Sequence, residues 1–230
     1  MSKSLGNVVD PLEVIDAGYG ADALRTYELF LGPINENSNW SSKGIAGVYR
    51  FLNRLWMLTQ EYVESDKNSM TTANDLESIT HATIKKVTGD IHRLSFNTAI
   101  AAMMECVNEL YKLKLNGFSK EWQFTIESLV KLMQPLAPHM SAELWQQLGH
   151  TSQLDFEDWP EWDDAKIVRD TMTIIVQVNG KLRAKLDVSA NESEDAIKKL
   201  ALADENVIRH VMSEPKKVIY IPGKLVSVVV

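Results

Sequence analysis

Ser2-Lys3-Ser4, within the opening run Met1-Ser2-Lys3-Ser4-Leu5-Gly6-Asn7, is a combination suited to phosphate. Two hydroxyls and the free N–H groups of a glycine-containing loop can donate hydrogen bonds, while an ammonium on a long stem follows a moving charge. On residue types alone, a solvated loop is the commoner fate of such a triplet. A second combination lies far along the chain, where Lys181, Arg183 and Lys185 alternate with Leu182 and Ala184. In a regular strand, side chains two apart share a face, so this spacing predicts three cations side by side on one sheet face. Neighbouring like charges repel and gain only when an anion approaches. With Lys216, Lys217 and Lys224 following, the pattern points to a nucleic-acid backbone, the alternative being a solvated face.

Other chemistries are closed off. Cys106 is the only cysteine, so an intrachain disulfide and a cysteine-rich zinc site are excluded. It sits in Met103-Met104-Glu105-Cys106-Val107, inside an apolar helical pattern, and reads as a packing thiol. The histidines His81, His92, His139, His150 and His210 lack metal-ligand spacing, so no metal site is expected. No run approaches the roughly 18 apolar residues of a membrane helix, and the first residues lack an apolar leader. A cytoplasmic protein is expected. At 45% hydrophobic and 24% charged residues the chain has the balance of a folded protein. Its net charge of −7 is uneven: residues 171–230 hold nine Lys/Arg against seven Asp/Glu, and the remaining 170 hold 15 against 24.

Periodicity supplies the elements that must position these groups. Asp10-Pro11 reads as an N-cap followed by proline at the first helical position. A short helix stops at Gly18, and a second runs over 21–31 to Gly32-Pro33. From Ser42 a long amphipathic helix carries Val48, Phe51, Leu52, Leu55, Thr59, Tyr62 and Val63 on one stripe. Helices over 75–94 and 97–115 follow, then one capped by Ser119, then one over 138–148. Residues 149–170 are acidic and tryptophan-bearing and read as a packed strap or linker. Beyond Asp170 the period changes to two. Residues 173–178 and 181–188 flank Asn179-Gly180, the pair that supplies both positive-φ positions of a type I′ turn. A helix around Ala196, Ile197, Leu200 and Ala201, then strands over 217–221 and 225–230, complete a small α+β domain.

The opening run, with Val8-Val9-Asp10-Pro11 and Gly20-Ala21-Asp22-Ala23-Leu24-Arg25, resembles the second signature of class I aminoacyl-tRNA synthetases and its continuation. There the loop is written Lys-Met-Ser-Lys-Ser, followed by Gly-Asn and later by Gly-Ala-Asp-x-x-Arg. The resemblance extends through Gly32-Pro33, Trp40, Gly44-Ile45, Arg50-Phe51-Leu52, Phe96-Asn97-Thr98-Ala99-Ile100, Trp159-Pro160 and the stretch Pro135-Leu136-Ala137-Pro138-His139-Met140-Ser141. These look like the helical domain of the leucine, isoleucine and valine enzymes. The ending, Val176-Gln177-Val178-Asn179-Gly180-Lys181 and Tyr220-Ile221-Pro222-Gly223-Lys224-Leu225, looks like the terminal domain of bacterial-type leucyl-tRNA synthetases.

The resemblance implies a mainly α fold, a helical bundle of the class I synthetase anticodon-binding type followed by a small α+β domain. It divides the chain into 1–37, the end of a catalytic domain with its ATP loop; 38–168, the bundle; and 169–230, a tRNA-binding domain. Lys3 becomes the catalytic residue, and Ser2, Lys3 and Ser4 the ATP contacts. Lys181, Arg183, Lys185, Lys216, Lys217 and Lys224 become the tRNA contacts. The leading lysine, the His-x-Gly-His motif, the nucleotide-binding sheet and the editing domain, which lie upstream in the family, do not appear. The expectation is therefore a monomeric C-terminal fragment that binds leucine tRNA and is inactive alone, with no bound cofactor. Leucine and ATP with Mg2+ would be substrates of the full-length ligase. A free-standing tRNA-binding module and a helical interaction scaffold are the alternatives.

Overall fold

Asp10 caps the first helix as the sequence predicts, its carboxylate accepting the Leu12 N–H at 2.9 Å. The computed structural model describes residues 8–41, 43–67, 73–167, 171–189, 192–211 and 215–229. Its contacts divide into two compact units, Met1–Ile167 and Val168–Val230.

In the first unit a single turn, α1 (Pro11–Val14), runs into a π-helical kink where Gly18 takes φ 94°. Then come α2 (Gly20–Phe30), α3 (Ile45–Glu64), α4 (Ala73–His92), α5 (Phe96–Leu113), α6 (Trp122–Met133) and α7 (Pro138–Gln147). The α3 stripe is buried as its spacing requires, with Val48, Phe51, Leu52, Leu55, Thr59 and Tyr62 all inside. It meets Ile100, Met103, Val107 and Leu110 of α5 and Ile126, Leu129 and Met133 of α6 in one core, to which α2 adds Ala23, Leu24 and Tyr27. Cys106 lies in the same core, and burial pushes its thiol up to about 11. Two helix starts differ from expectation. The α3 helix begins at Ile45 rather than at Ser42, and α6 at Trp122, after a turn in which the Trp122 N–H reaches the Ser119 carbonyl at 3.3 Å.

Residues 149–167 form a packed strap. Leu154 and Pro160 are buried, and Trp159 Nε1 donates to Thr88 Oγ1 at 2.8 Å. The Asp163 N–H donates to Nδ1 of buried His81 at 3.1 Å, which requires an unprotonated ring nitrogen there. Burial, helped by the charge of Lys166, holds the His81 pKa below its usual value.

In the second unit, β1 (Thr171–Val178) and β2 (Lys181–Ser189) form the hairpin. Asn179 at φ 48° and Gly180 at φ 77° make the turn that the dipeptide predicts. Two short helices, α8 (Glu194–Ala203) and α9 (Glu205–Ile208), precede β3 (Lys217–Ile221) and β4 (Leu225–Val229). The four strands make one sheet in the order β2-β1-β4-β3, with β1 and β4 parallel and both outer pairs antiparallel. Ile197, Ala201 and Val207 of the helices cover one face, against Ile174, Val176, Ala184, Val188, Val226 and Val228.

Candidate nucleic-acid interface

Ser2, Lys3 and Ser4 lie outside the described residues. The structure does describe how the segment after them is fixed. On α2, Thr26 Oγ1 donates to the Asp22 carbonyl at 2.8 Å and approaches that of Leu136 at 3.3 Å, while the Tyr27 hydroxyl donates to the Ser41 carbonyl at 2.7 Å. Asp22 reaches the start of α7. Its Oδ2 accepts the Met140 N–H at 2.7 Å, and its Oδ1 meets the His139 N–H at 3.4 Å and His139 Nδ1 at 2.7 Å. Since α7 has no side-chain cap of its own, Asp22 supplies one from another helix. The Gly-Ala-Asp and Ala-Pro-His stretches, more than a hundred residues apart, are thus two halves of one contact.

In the second unit the cations are arranged differently from the alternation rule. Val178 pairs with Lys181 and Gln177 with Leu182, but Val176 pairs with Ala184 and Ile175 with Lys185. One extra residue, Arg183, is accommodated on β2 as a bulge. Cross-strand partners share a face. Lys185 therefore stands beside exposed Ile175 on the open face, whereas Lys181 pairs with buried Val178. The three cations do not form one row, and the single-face expectation is corrected. Arg183 is only partly exposed, and its Nε is buried without a hydrogen-bond partner.

The open face has a different organisation. Lys185, Ile175, Leu225 and Ile221 lie side by side across the four strands, with Leu182, Gln177, Ser227 and Ile219 in the next row. Lys217 lies beyond, opposite Val229. Ile175, Leu182, Ile219, Ile221 and Val229 are all exposed. The face is apolar at its centre and carries Lys185 and Lys217 on its two edge strands, three strand spacings apart across the sheet and four residues apart along it, hence roughly 20 Å from one another. Lys216 and Lys224 are exposed beside it, on the approach to β3 and in the β3–β4 turn. Apart from Leu182, which the bulge brings to the same face as Lys185, the apolar members are odd-position residues of strands otherwise buried on one side, a signal not used in picking out site residues by sequence.

The ion pairs of this unit lie on its helices, where exposed Lys199 nevertheless has none among the described residues. On the helices, Lys198 pairs with Glu194 at 2.5 Å and Arg209 approaches Glu205 at 3.9 Å. Lys181, Lys185, Lys216, Lys217 and Lys224 have no ion-pair partner among the described residues. In the bundle, Arg93 pairs with buried Asp90 at 2.6 Å and Arg54 lies over the Tyr111 ring, while Arg25 and Arg50 are exposed and have no ion-pair partner among the described residues. No group of acids, histidines or cysteines among the described residues is arranged to hold a metal ion. No described helix is long and apolar enough to cross a membrane.

A family model for the anticodon-binding domain of tRNA ligase matches residues 73–198. Leucine–tRNA ligases of Nitratidesulfovibrio vulgaris are 43% identical over 248 residues, covering 100% of this chain and 30% of the relative. Those of Dehalococcoides mccartyi are 42% identical over 233 residues, covering 100% of this chain and 28% of theirs. The chain therefore spans less than a third of the length of these relatives. Among solved structures, the agnB2 LeuRS of Agrobacterium radiobacter K84, in ternary complex with tRNA and LeuAMS, is similar over 100% of this chain and 31% of that one. The TM-score is 0.73 at 31% identity.

Proposed function

The chain belongs to the family of anticodon-binding domains of tRNA ligases, and from that premise we propose that it is the C-terminal, tRNA-binding region of a leucine–tRNA ligase. The observation that carries the RNA reading is the open sheet face, with an apolar centre and cations on both edge strands that have no described acid partner. Phosphates meet Lys185 and Lys217, and Lys181, Lys216 and Lys224 add charge around the rim. The apolar centre packs against the sugar and base surface that charge alone does not satisfy. Arg183, held at the bulge with a partly buried side chain, contributes less than its neighbours.

Leucine specificity rests on the relatives, whose names give that amino acid. In the whole ligase, leucine and ATP with Mg2+ are substrates, and residues 1–37 belong to the end of the catalytic domain. There Lys3 offsets charge developing on the phosphates as leucyl-adenylate forms, and Ser2 and Ser4 support the loop. The chain alone forms no adenylate, and it acts as a monomer in the cytoplasm. Neither the free-standing module nor the helical scaffold is favoured.

The test is a binding titration of the 230-residue chain with leucine tRNA and with tRNAs for other amino acids. Leucine tRNA should bind more tightly than the rest. Affinity no better than about 10⁻⁴ M for every tRNA, the weak end of non-specific binding, would refute the reading.

A further inference from the structure

A cavity of about 450 Å3 opens between α2, α3 and α7, lined among others by Tyr19, Tyr49, Leu52, Asn53, Trp56 and His139. We propose that it receives one unstacked nucleobase of single-stranded RNA, with the attached phosphate at Arg50 and Arg25. The proposal rests on the RNA-binding reading above, but places a contact on the helical unit, where the sheet face plays no part.

The cavity is within the roughly 300–1,000 Å3 of small-ligand sites, mostly apolar with a few convergent polar groups. Tyr19, Tyr49 and Trp56 give its lining three large aromatic side chains. Tyr19 and Tyr49 meet edge to face, with centroids 5.5 Å apart and planes at 83°. Tyr49 is 36% exposed, so part of its ring remains available. Every base has a π face, and stacking on aromatic rings is the common means of holding an unstacked base. Asn53 lines the same cavity and is exposed. Its amide offers a donor and an acceptor side by side, matching the hydrogen-bonding edge of a base. The Asp22 carboxylate is occupied by the α7 N–H groups and His139, so it does not demand a cation from the ligand.

Charge selects a nucleotide over an apolar protein segment. Arg50 is one residue from Tyr49 and three from Asn53 on α3. Arg25 is three and four residues beyond Asp22 and Ala21 on α2; like Arg50 it lies within one helical turn of the lining without being part of it. Both arginines are exposed without an ion-pair partner among the described residues. Residues 1–170 hold 24 Asp/Glu against 15 Lys/Arg. Two unpaired arginines beside one aromatic cavity, in so acidic a unit, point to an anionic ligand with a flat ring.

The experiment uses the intact chain. It is photolabelled with 8-azido-AMP, with AMP and a single-stranded trinucleotide as competitors, and the label is mapped by mass spectrometry. Label should fall on the segments holding Tyr49 and Trp56 and be displaced by both competitors. The exposed-site variants Tyr49→Ala and Asn53→Ala should each weaken trinucleotide binding, Tyr49→Ala by about tenfold, as expected for loss of one stacking ring. Arg50→Glu should weaken it further, and circular dichroism should find all three folded. Label scattered over the chain, or folded Tyr49→Ala and Asn53→Ala proteins with unchanged affinity, would overturn the proposal. So would capture of an apolar dye that AMP does not displace, which would assign the cavity to a protein segment. If tRNA binding still depends on Lys185 and Lys217 in that event, only the pocket fails; if the chain binds no tRNA, both readings fail.

Discussion

Replacing Asp22 with alanine tests whether the contact between α2 and α7 holds the bundle together. The Asp22 side chain is 13% exposed and accepts the Met140 N–H at 2.7 Å, while its His139 partner is 76% exposed. Loss of a helix cap costs about 0.5–2 kcal/mol. A carboxylate near a helix N-terminus adds about 0.3–1 kcal/mol through the dipole. The bond to the exposed His139 ring is screened by water and deserves little weight. Asp22→Ala should therefore destabilise the first unit by about 2 kcal/mol, equivalent to a melting shift of about 4–8 °C for a unit of this size. Asp22→Asn keeps an acceptor for the Met140 N–H but loses the charge, and should fall about midway. Urea denaturation followed by helical circular dichroism measures both. An Asp22→Ala protein within about 0.5 kcal/mol of the parent, the range of ordinary surface changes, would refute the cap argument.

Other predictions concern different parts of the chain. His81 has a pKa depressed by burial, so its contribution to stability is complete above the unfolded value near 6.5 and is lost as pH falls from there toward the folded value. His81→Gln should flatten the fall in stability between pH 7.5 and 5.5; an unchanged pH profile would show that His81 is not its source. Cys106, buried and pushed up to about 11, should resist an aromatic disulfide reagent at pH 8 in the native chain and react at once in denaturant, whereas prompt native reaction would mean the α5 core opens. The pair Lys185→Ala, Lys217→Ala should reduce the slope of log K against log salt for tRNA by about 0.7–0.9 for each phosphate lost. Lys181→Ala should reduce it less than Lys185→Ala alone, and equal effects of these two single changes would restore the single-row arrangement. In a ligase containing this chain, Lys3→Ala should lower kcat for adenylate formation by about 10²-fold, since a charge used in the transition state appears in kcat. An unchanged kcat would make the loop structural.

Local rules made much of the fold legible. Asn179-Gly180 specifies a hairpin because few other pairs adopt two positive φ values, and both are present. The α3 stripe specifies a buried face because its apolar spacing matches the helical repeat. What depends on pairing was not legible. Alternation along 181–185 is a property of the strand, but the bulge at Arg183 exists only relative to β1, and it turns Lys181 and Lys185 to different sides. The exposed row of Ile175, Leu225 and Ile221 likewise appears only when β4 joins β1 in parallel, bringing distant strands together. Asp22 stood out by resemblance to a family motif, while its physical role required a partner 118 residues away. Sequence spacing reports short-range periodicity well and long-range closure hardly at all.

The distribution of unpaired charge constrains how an acidic chain binds an anion. Screening in physiological salt confines an exposed charge to about 8 Å, so the net −7 does not act as a uniform barrier, and contact is decided patch by patch. Lysines engaged with acids, such as Lys85 with Asp164 at 2.8 Å and Lys166 with Glu77 at 2.9 Å, have little left for phosphate. Of the cations without an ion-pair partner among the described residues, several stand at the sheet edges and near the α2–α3–α7 cavity, while others, such as Lys43, Lys120 and Lys199, stand elsewhere. If RNA meets the sheet through the lysines at its edges, counterion release supplies only part of the binding. On the proposed reading, part of the affinity comes from the apolar sheet centre and, independently, from the aromatic cavity, contributions that depend less on salt. That reading predicts that heparin should compete poorly relative to tRNA at equal charge, with the difference widening as salt is raised; equal competition at every salt would refute it.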